Sequence, residues 1–284
     1  MSLRKTIHVG GRLLVVVGGV GYAAVSLAAP PDKPVAPFIP PADTPSISAP
    51  EPVGKIVASG SASTTASADA LPRMFAEAKT AMARVRDYVG HYIRQERVSG
   101  RLVPEETCEL RVRVNPFSVA VKVVGPKEFA GRETCYIAGR SADRVKFKEA
   151  GKLAYLTLPR DDSRVLADTR HVITDVGLAA ILERVEQAIR VEKQLNNPVQ
   201  VLVSDYTFAG RSCKRYEIFA DRPHAHRYAY RHVLFIDTDK KLPIRYEAYD
   251  QPKPGGTPGG ELIETQSFVG LKFNVGLGEA TFDR

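Results

Sequence analysis

Apolar residues recur along this chain with two different periods. Between Asp69 and Arg86, Leu71, Met74, Phe75, Ala78, Met82 and Val85 fall at helical spacing. They form one face of an amphipathic helix. Asp69 is placed to cap it, and Pro72 is tolerated in its first turn. The period then drops to two. Cys108, Leu110, Val112 and Val114 alternate with Thr107, Glu109, Arg111 and Arg113, and Phe117, Val119, Val121 and Val123 alternate with Ser118, Ala120 and Lys122. These are two half-buried strands, with Asn115-Pro116 as the turn between them. Tyr88 to Val98 precedes them with weaker alternation, and 132–138, 144–149 and 153–158 continue the series.

A second helical pattern interrupts the strands from Thr174 to Leu195, with Leu178, Ile181, Leu182, Val185 and Ile189 as its stripe. Thr174 is the expected N-cap, and Asn196-Asn197-Pro198 the stop. Strands resume near 199–208, 212–220, 228–237, 242–250 and 261–273, with the Pro/Gly-rich insert Gln251 to Gly260 before the last. Strands in two blocks, not alternating one by one with helices, predict an α+β fold. The expected architecture is a curved antiparallel sheet of about 11 strands, because open twisted sheets of that size curl. It is an unclosed half-barrel covered by the two long helices.

The first 68 residues read differently. Arg4, Lys5, His8 and Arg12 precede an uncharged run from Leu13 to Ala28 with small-x-small sites at its end. That is an export signal over 1–28. About 16 apolar residues is short for a span, which needs about 20, so both a cleaved signal and an uncleaved anchor are open. Residues 29–68 are expected to be a linker. Almost half of the chain's 20 prolines lie between Pro30 and Pro52, and Gly, Ser, Ala and Thr dominate Ser59 to Ala68. Such a stretch buries too little apolar surface to order itself. The folded domain is placed at 69–284. The net charge of +8 over 284 residues is mild, and basic residues alternate with acidic ones, so nucleic acid is not an expected partner. Export implies the periplasm or cell envelope, with membrane contact through the N-terminus.

Candidate chemistry is thin. Cys108, Cys135 and Cys213 allow at most one intramolecular pair, Cys108–Cys135 closing the shorter loop, or three buried thiols. His224, His226 and His232, with Asp237 downstream, are the one histidine cluster, but Arg222, Arg227 and Arg231 flank it and oppose a cation. No catalytic motif and no cofactor motif appears. Arg94, Arg97, Arg111, Arg113, Arg132, Arg211 and Arg215 pair in pattern with Glu96, Glu109, Glu133 and Glu217, or rim a cavity mouth.

Several tracts resemble a bacterial exported family known only as a domain of unknown function. They are Pro126 to Gly139 (PKEFAGRETCYIAG), Arg170 to Leu178 (RHVITDVGL) and Leu242 to Asp250 (LPIRYEAYD), with Phe273-Asn274 and Phe282-Asp283 at the end. That family in turn is similar to the LolA/LolB-like lipoprotein carriers. The resemblance implies an unclosed barrel with helices as a lid, and a lipid or lipoprotein acyl chain as ligand, with no catalytic residues. On that expectation Met74, Phe75, Met82, Leu178, Ile181, Leu182 and Val185 form the lid, and Tyr206, Tyr230 and Tyr246 line the cavity. The competing expectation is a tethered structural or protein-interaction module whose barrel is filled and holds no ligand, with an envelope protein as partner.

Overall fold

The computed structural model describes residues 61–284 apart from 62, 67, 68, 141, 221, 225 and 226. The export segment and most of the linker lie outside these residues. The chain order is β1 (Thr64–Thr65), α1 (Ala70–Met82), β2 (Asp87–Val98), β3 (Arg101–Leu102), β4 (Glu106–Arg113), β5 (Ser118–Gly125), β6 (Glu133–Ile137), β7 (Arg144–Lys148), β8 (Leu156–Pro159), α2 (Leu178–Gln194), β9 (Val199–Phe208), β10 (Arg211–Ala220), β11 (Arg231–Asp237), β12 (Pro243–Tyr249) and β13 (Leu262–Phe273). The eleven strands read from alternation are all present. β1 and β3, two residues each, are additional.

All strands join one antiparallel sheet in the order β1-β9-β10-β11-β12-β13-β2-β4-β5-β6-β7-β8, with β3 hairpinned onto β2. Its two end strands do not meet, so the half-barrel is unclosed as expected. The two blocks of strands are joined where β13 pairs β2, from Glu264 opposite Glu96 to Phe273 opposite Tyr88. Register shifts bend this seam between Val269 and Lys272, and bend the β12–β13 and β4–β5 pairs as well. At the seam Gly90 is required by close approach. A Cβ there would stand 2.9 Å from the Val269 carbonyl oxygen and 3.0 Å from Leu271.

One face of the sheet meets both helices. Leu71, Met74, Phe75 and Ala78 of α1 and Leu178, Ile181, Leu182 and Val185 of α2 join Tyr88, Tyr92, Leu110, Leu234, Tyr246 and Phe268 in one core. The other face carries two smaller clusters. Phe208, Val233, Phe235 and Ile244 pack there under Arg215 and Arg245, whose guanidinium carbons lie 5.3–5.9 Å from the Phe208 and Phe235 rings. Leu277 and Phe282 of the C-terminal segment fold back onto Val89, Ala120 and Cys135. That return is fixed by the Asp87 carboxylate, which accepts from the amides of Val275, Gly276 and Leu277 at 2.6–3.2 Å.

Three local expectations are corrected. The second helix begins at Leu178, because Ile173–Asp175 forms a 3₁₀ turn and Gly177, at φ +121°, breaks the chain direction before the helix. Thr174 is therefore not its cap. The first helix ends at Met82, four residues short of Arg86, and Asp69 stands at its N-cap without a side-chain bond. Within the span read as linker, Thr64 and Thr65 form a two-residue strand that pairs with Val203 and Leu202, supplying the backbone partners that an edge strand otherwise lacks. All three cysteines are buried free thiols. Cys108 faces the helices while Cys135 lies in the opposite cluster, so the two cannot pair across the sheet.

Candidate functional site

Between the helices and the sheet the described residues pack densely. Leu178, Ile181, Val185 and Tyr246 are fully buried, and two spaces among the described residues there are small, about 40 Å³ beside Tyr92 and Ile173 and about 10 Å³ beside Ile218. A water's share of liquid volume is about 30 Å³, so these are hydration-sized. Met74, Phe75, Leu178, Ile181, Leu182, Val185 and Tyr246 are therefore brought together as core, with Met82 half-buried against it. Tyr206 lies on the far face, edge-on to Phe235 with centroids 4.9 Å apart. Tyr230 sits just before β11, 6.2 Å from the Phe219 ring.

A polar network is built into this interface, and the sequence reading missed it. Glu96 accepts from Thr169 Oγ1 at 3.1 Å and from the Arg170 amide at 2.5 Å, while Arg94 bridges it to Glu106. Arg132 pairs with Glu106 and with Asp168. Glu264 accepts from Tyr228 Oη at 2.6 Å, Gln266 Nε2 at 3.1 Å and Arg184 Nη1 at 3.4 Å. His171 completes the shell, its Nε2 being 2.5 Å from Glu264. Arg184 Nη2 faces His171 Nδ1 at 3.3 Å. A guanidinium can only donate, so Nδ1 is the acceptor and the proton sits on Nε2. The segment from Asp168 to Arg184 is thus clasped to β2 and β13, and α2 is anchored by charge as well as by burial.

Glu96, His171 and Glu264 bring three potential ligand atoms within 4.8 Å of one another. They do not fit a metal. Each acceptor already receives an N–H or O–H, the imidazole Nε2 carries its proton, and Arg94 and Arg184 add positive charge beside the cluster. The histidine group of the sequence is dispersed. His232 lies under Tyr246 at 2.9 Å, His224 faces Glu192 at 3.0 Å, Asp237 is held by Arg211 and two backbone amides, and His226 is outside the described residues.

The network gives a pH dependence. Burial drives the pKa of His232 from 6.5 to about 4, against the opposing charge of Glu264. Burial alone would raise Glu264, but hydrogen bonding to His171, the Arg184 charge and the Tyr228 hydroxyl outweigh it and hold the carboxyl at about 2. Both folded values lie below the unfolded ones, so the unfolded chain takes up protons first and stability falls with acid. The His232 contribution is complete above pH 6.5 and lost as pH falls to about 4; the Glu264 contribution goes between 4.5 and about 2. The unfolding free energy measured by urea denaturation from pH 7 to pH 4 should decline, by up to about 3 kcal/mol from His232, and His232→Gln should flatten that decline.

A roomier, partly open space lies elsewhere, at the end of the sheet. β12 begins at Pro243, whereas β13 runs on to Phe273, so Gly270 to Phe273 extend past β12 and pair only with β2. The bulge at Val269–Lys272 and the left-handed Gly270 (φ +63°) turn this overhang outward. The result is a slot of about 270 Å³ walled by Leu242, Ile244, Phe268, Val269, Leu271 and Phe273, with the half-exposed Arg211 and Lys240 and the buried Asp237 also in its lining. Lys241, next to the slot, reaches Glu77 in the middle of α1 at 3.9 Å, so that helix passes close by. Arg211, one of seven arginines open to acid pairing or a place at a cavity mouth, here does pair, with Asp237 and Asp239, and also lines the slot; the apolar walls carry only a weak signal, consecutive Phe268-Val269 followed by Gly270. An open groove of about 410 Å³ lies beside the C-terminal turn of α2. Among the described residues no helix is long and apolar enough to cross a membrane.

No curated protein matches the sequence. Solved structures with a similar fold include the lipoprotein LppX of Mycobacterium tuberculosis, 13% identical over 76% of this chain and 100% of that one, with a TM-score of 0.43. They also include the Pseudomonas aeruginosa MucA/MucB complex, at 14% identity, 75% and 60% coverage and a TM-score of 0.42. A LolA superfamily protein from Nitrosomonas europaea matches at 9% identity, 75% and 97% coverage and a TM-score of 0.29. The tracts quoted above from Pro126 onward all fall within one sequence-family match spanning residues 85–284, and by it the chain belongs to the family described as "Protein of unknown function (DUF1571)".

Proposed function

We propose that this is a non-enzymatic binding protein of the cell envelope that takes the end of a single apolar chain, the acyl chain of a lipid or lipoprotein, into the slot at the end of β11–β13. The observation that carries the reading is the slot itself: six apolar walls with the half-exposed Arg211 and Lys240 in the same lining. Ligand pockets usually measure about 300–1,000 Å³, so 270 Å³ suits one chain end and not a whole lipid. Arg211 and Lys240 are about half-exposed and keep N–H groups to offer an acidic head group. The tight helix–sheet interface and its clasp support a site that needs no opening of α2.

The test is saturable binding of a fluorescent fatty acid by the full-length exported protein. Val269→Trp, which fills the slot from its half-buried wall, should weaken binding about tenfold or more by displacing several buried methylenes. Arg211→Gln should weaken it less, and should reduce its salt dependence. Saturable binding that Val269→Trp leaves untouched would place the ligand elsewhere. Absence of saturable binding would favour the second reading, a tethered interaction module, which the filled helix–sheet interface also supports.

A further inference from the structure

The two ends of the sheet are finished differently. At one, the short β8 runs into Pro159. At the other, the ten-residue β9 meets only a brief strap from the linker. We infer that the β9 edge is a docking site for an extended segment of a partner protein, and that the strap holding Ser61 and Thr64 to Ala66 against it is its displaceable resident.

That this edge accepts a strand is seen directly. The Ala66 amide donates to the Val201 carbonyl at 2.9 Å and the Ser61 amide to the Asp205 carbonyl at 3.3 Å, while the Asp205 amide donates to Ser61 Oγ at 3.1 Å. The hold is almost entirely main-chain. Thr64 and Thr65 are exposed, and Ser, Ala and Thr offer little apolar surface to bury. The strap is also the last stretch of a segment whose composition keeps it from ordering itself.

The edge has unfilled apolar surface. Val203 and Val201 pair with Tyr216 and Ile218 of the helix-facing side, and with Val199 they form a half-buried row along β9. Thr64 stands opposite Val203, and Ala66 is bonded to Val201 two residues along. Beyond Val199 the row opens into the groove of about 410 Å³ walled by Ile189, Pro198 and Val199, with Lys193 on its rim. Ladder bonds plus pockets for alternate side chains are the two parts of strand-addition recognition. The segment that fits carries β-branched or aromatic residues at alternate positions, and an acidic residue where it passes Lys193. This inference is independent of the slot.

The test locks and unlocks the strap in the full chain. Ala66–Val201 is a hydrogen-bonded pair, so Thr65–Leu202 is the adjacent non-hydrogen-bonded pair. Such pairs have Cα atoms about 4.5 Å apart, within disulfide reach. Thr65→Cys with Leu202→Cys therefore fixes the strap when oxidised and frees it when reduced. The probe is a labelled peptide of residues 60–69 carrying Thr64→Ile, Ala66→Ile and Ala68→Ile, read by fluorescence anisotropy. It should bind the reduced protein about tenfold or more tighter than the oxidised one, and tighter than the unsubstituted peptide by a similar factor. Ala66→Pro, which removes a ladder donor from the strap, should raise affinity while the far-ultraviolet circular dichroism is unchanged. Equal affinity in both redox states, or no binding to the reduced form, overturns the inference. Oxidation to a disulfide-linked dimer also overturns it, since the occupant is then a second copy's strap.

Discussion

Replacing Glu264 by Ala should lower folding stability by about 3–5 kcal/mol, because it leaves Arg184 and His171 buried without their acceptor. Glu264 is fully buried and takes four side-chain donors, from α2, from β13 and from the loops before α2 and β11. Glu264→Gln keeps an acceptor oxygen but loses the charge, and should cost less. Urea denaturation at pH 7 measures both. The companion measurement is the Arg184→Ala, Glu264→Ala double variant. If the clasp is a coupled unit, the double variant should be less destabilised than the sum of the two singles. Strict additivity would show that the residues contribute separately and that α2 is held by its apolar face alone.

Gly177→Val should cost about 3 kcal/mol or more, from two sources that can be separated. The residue sits at φ +121°, a region costing side-chain-bearing residues about 1–3 kcal/mol. Its Cβ would also stand 2.5 Å from Tyr88 Oη. That hydroxyl accepts the Leu178 amide at 3.0 Å, and so supplies from β2 the helix cap that α2 lacks on its own side. Tyr88→Phe alone should cost about 1 kcal/mol, one hydrogen bond. Placing Gly177→Val in the Tyr88→Phe background removes the Cβ–hydroxyl clash but keeps the backbone strain. Thermal melts of the four proteins then read the contact as the non-additive part.

Alternation alone located every long strand, because inward positions such as Leu110, Val112, Leu234 and Tyr246 must be apolar to meet the helices. The helical stripes were equally legible, since Leu178, Ile181, Leu182 and Val185 can be buried together only on a helix. What escaped was whatever broke the period. Glu264 and Gln266 share their face with Phe268, yet a carboxylate at an inward position says nothing of its partners, which come from as far as 93 positions away. The slot depends on a bulge and on unequal strand lengths, which shift register without changing composition. The strap escaped for a different reason. Its Ser/Thr/Ala sequence carries no burial signal, and it is ordered by backbone bonds that any sequence can make. Tyr206 was assigned inward because aromatic residues cluster in the late strands, but parity puts it beside Phe235 on the outer face.

The pairing of β13 with β2 has a consequence for assembly. A strand late in the chain lies near the middle of the sheet, between β2 and β12. Until residues 262–273 are available, the earlier strands form two separate ribbons, each ending in a raw edge and sharing no ladder. Closing the seam joins segments about 170 positions apart, the kind of non-local contact that makes folding slow. Chain halted before Leu262 should therefore behave as two sticky fragments, open to aggregation and proteolysis.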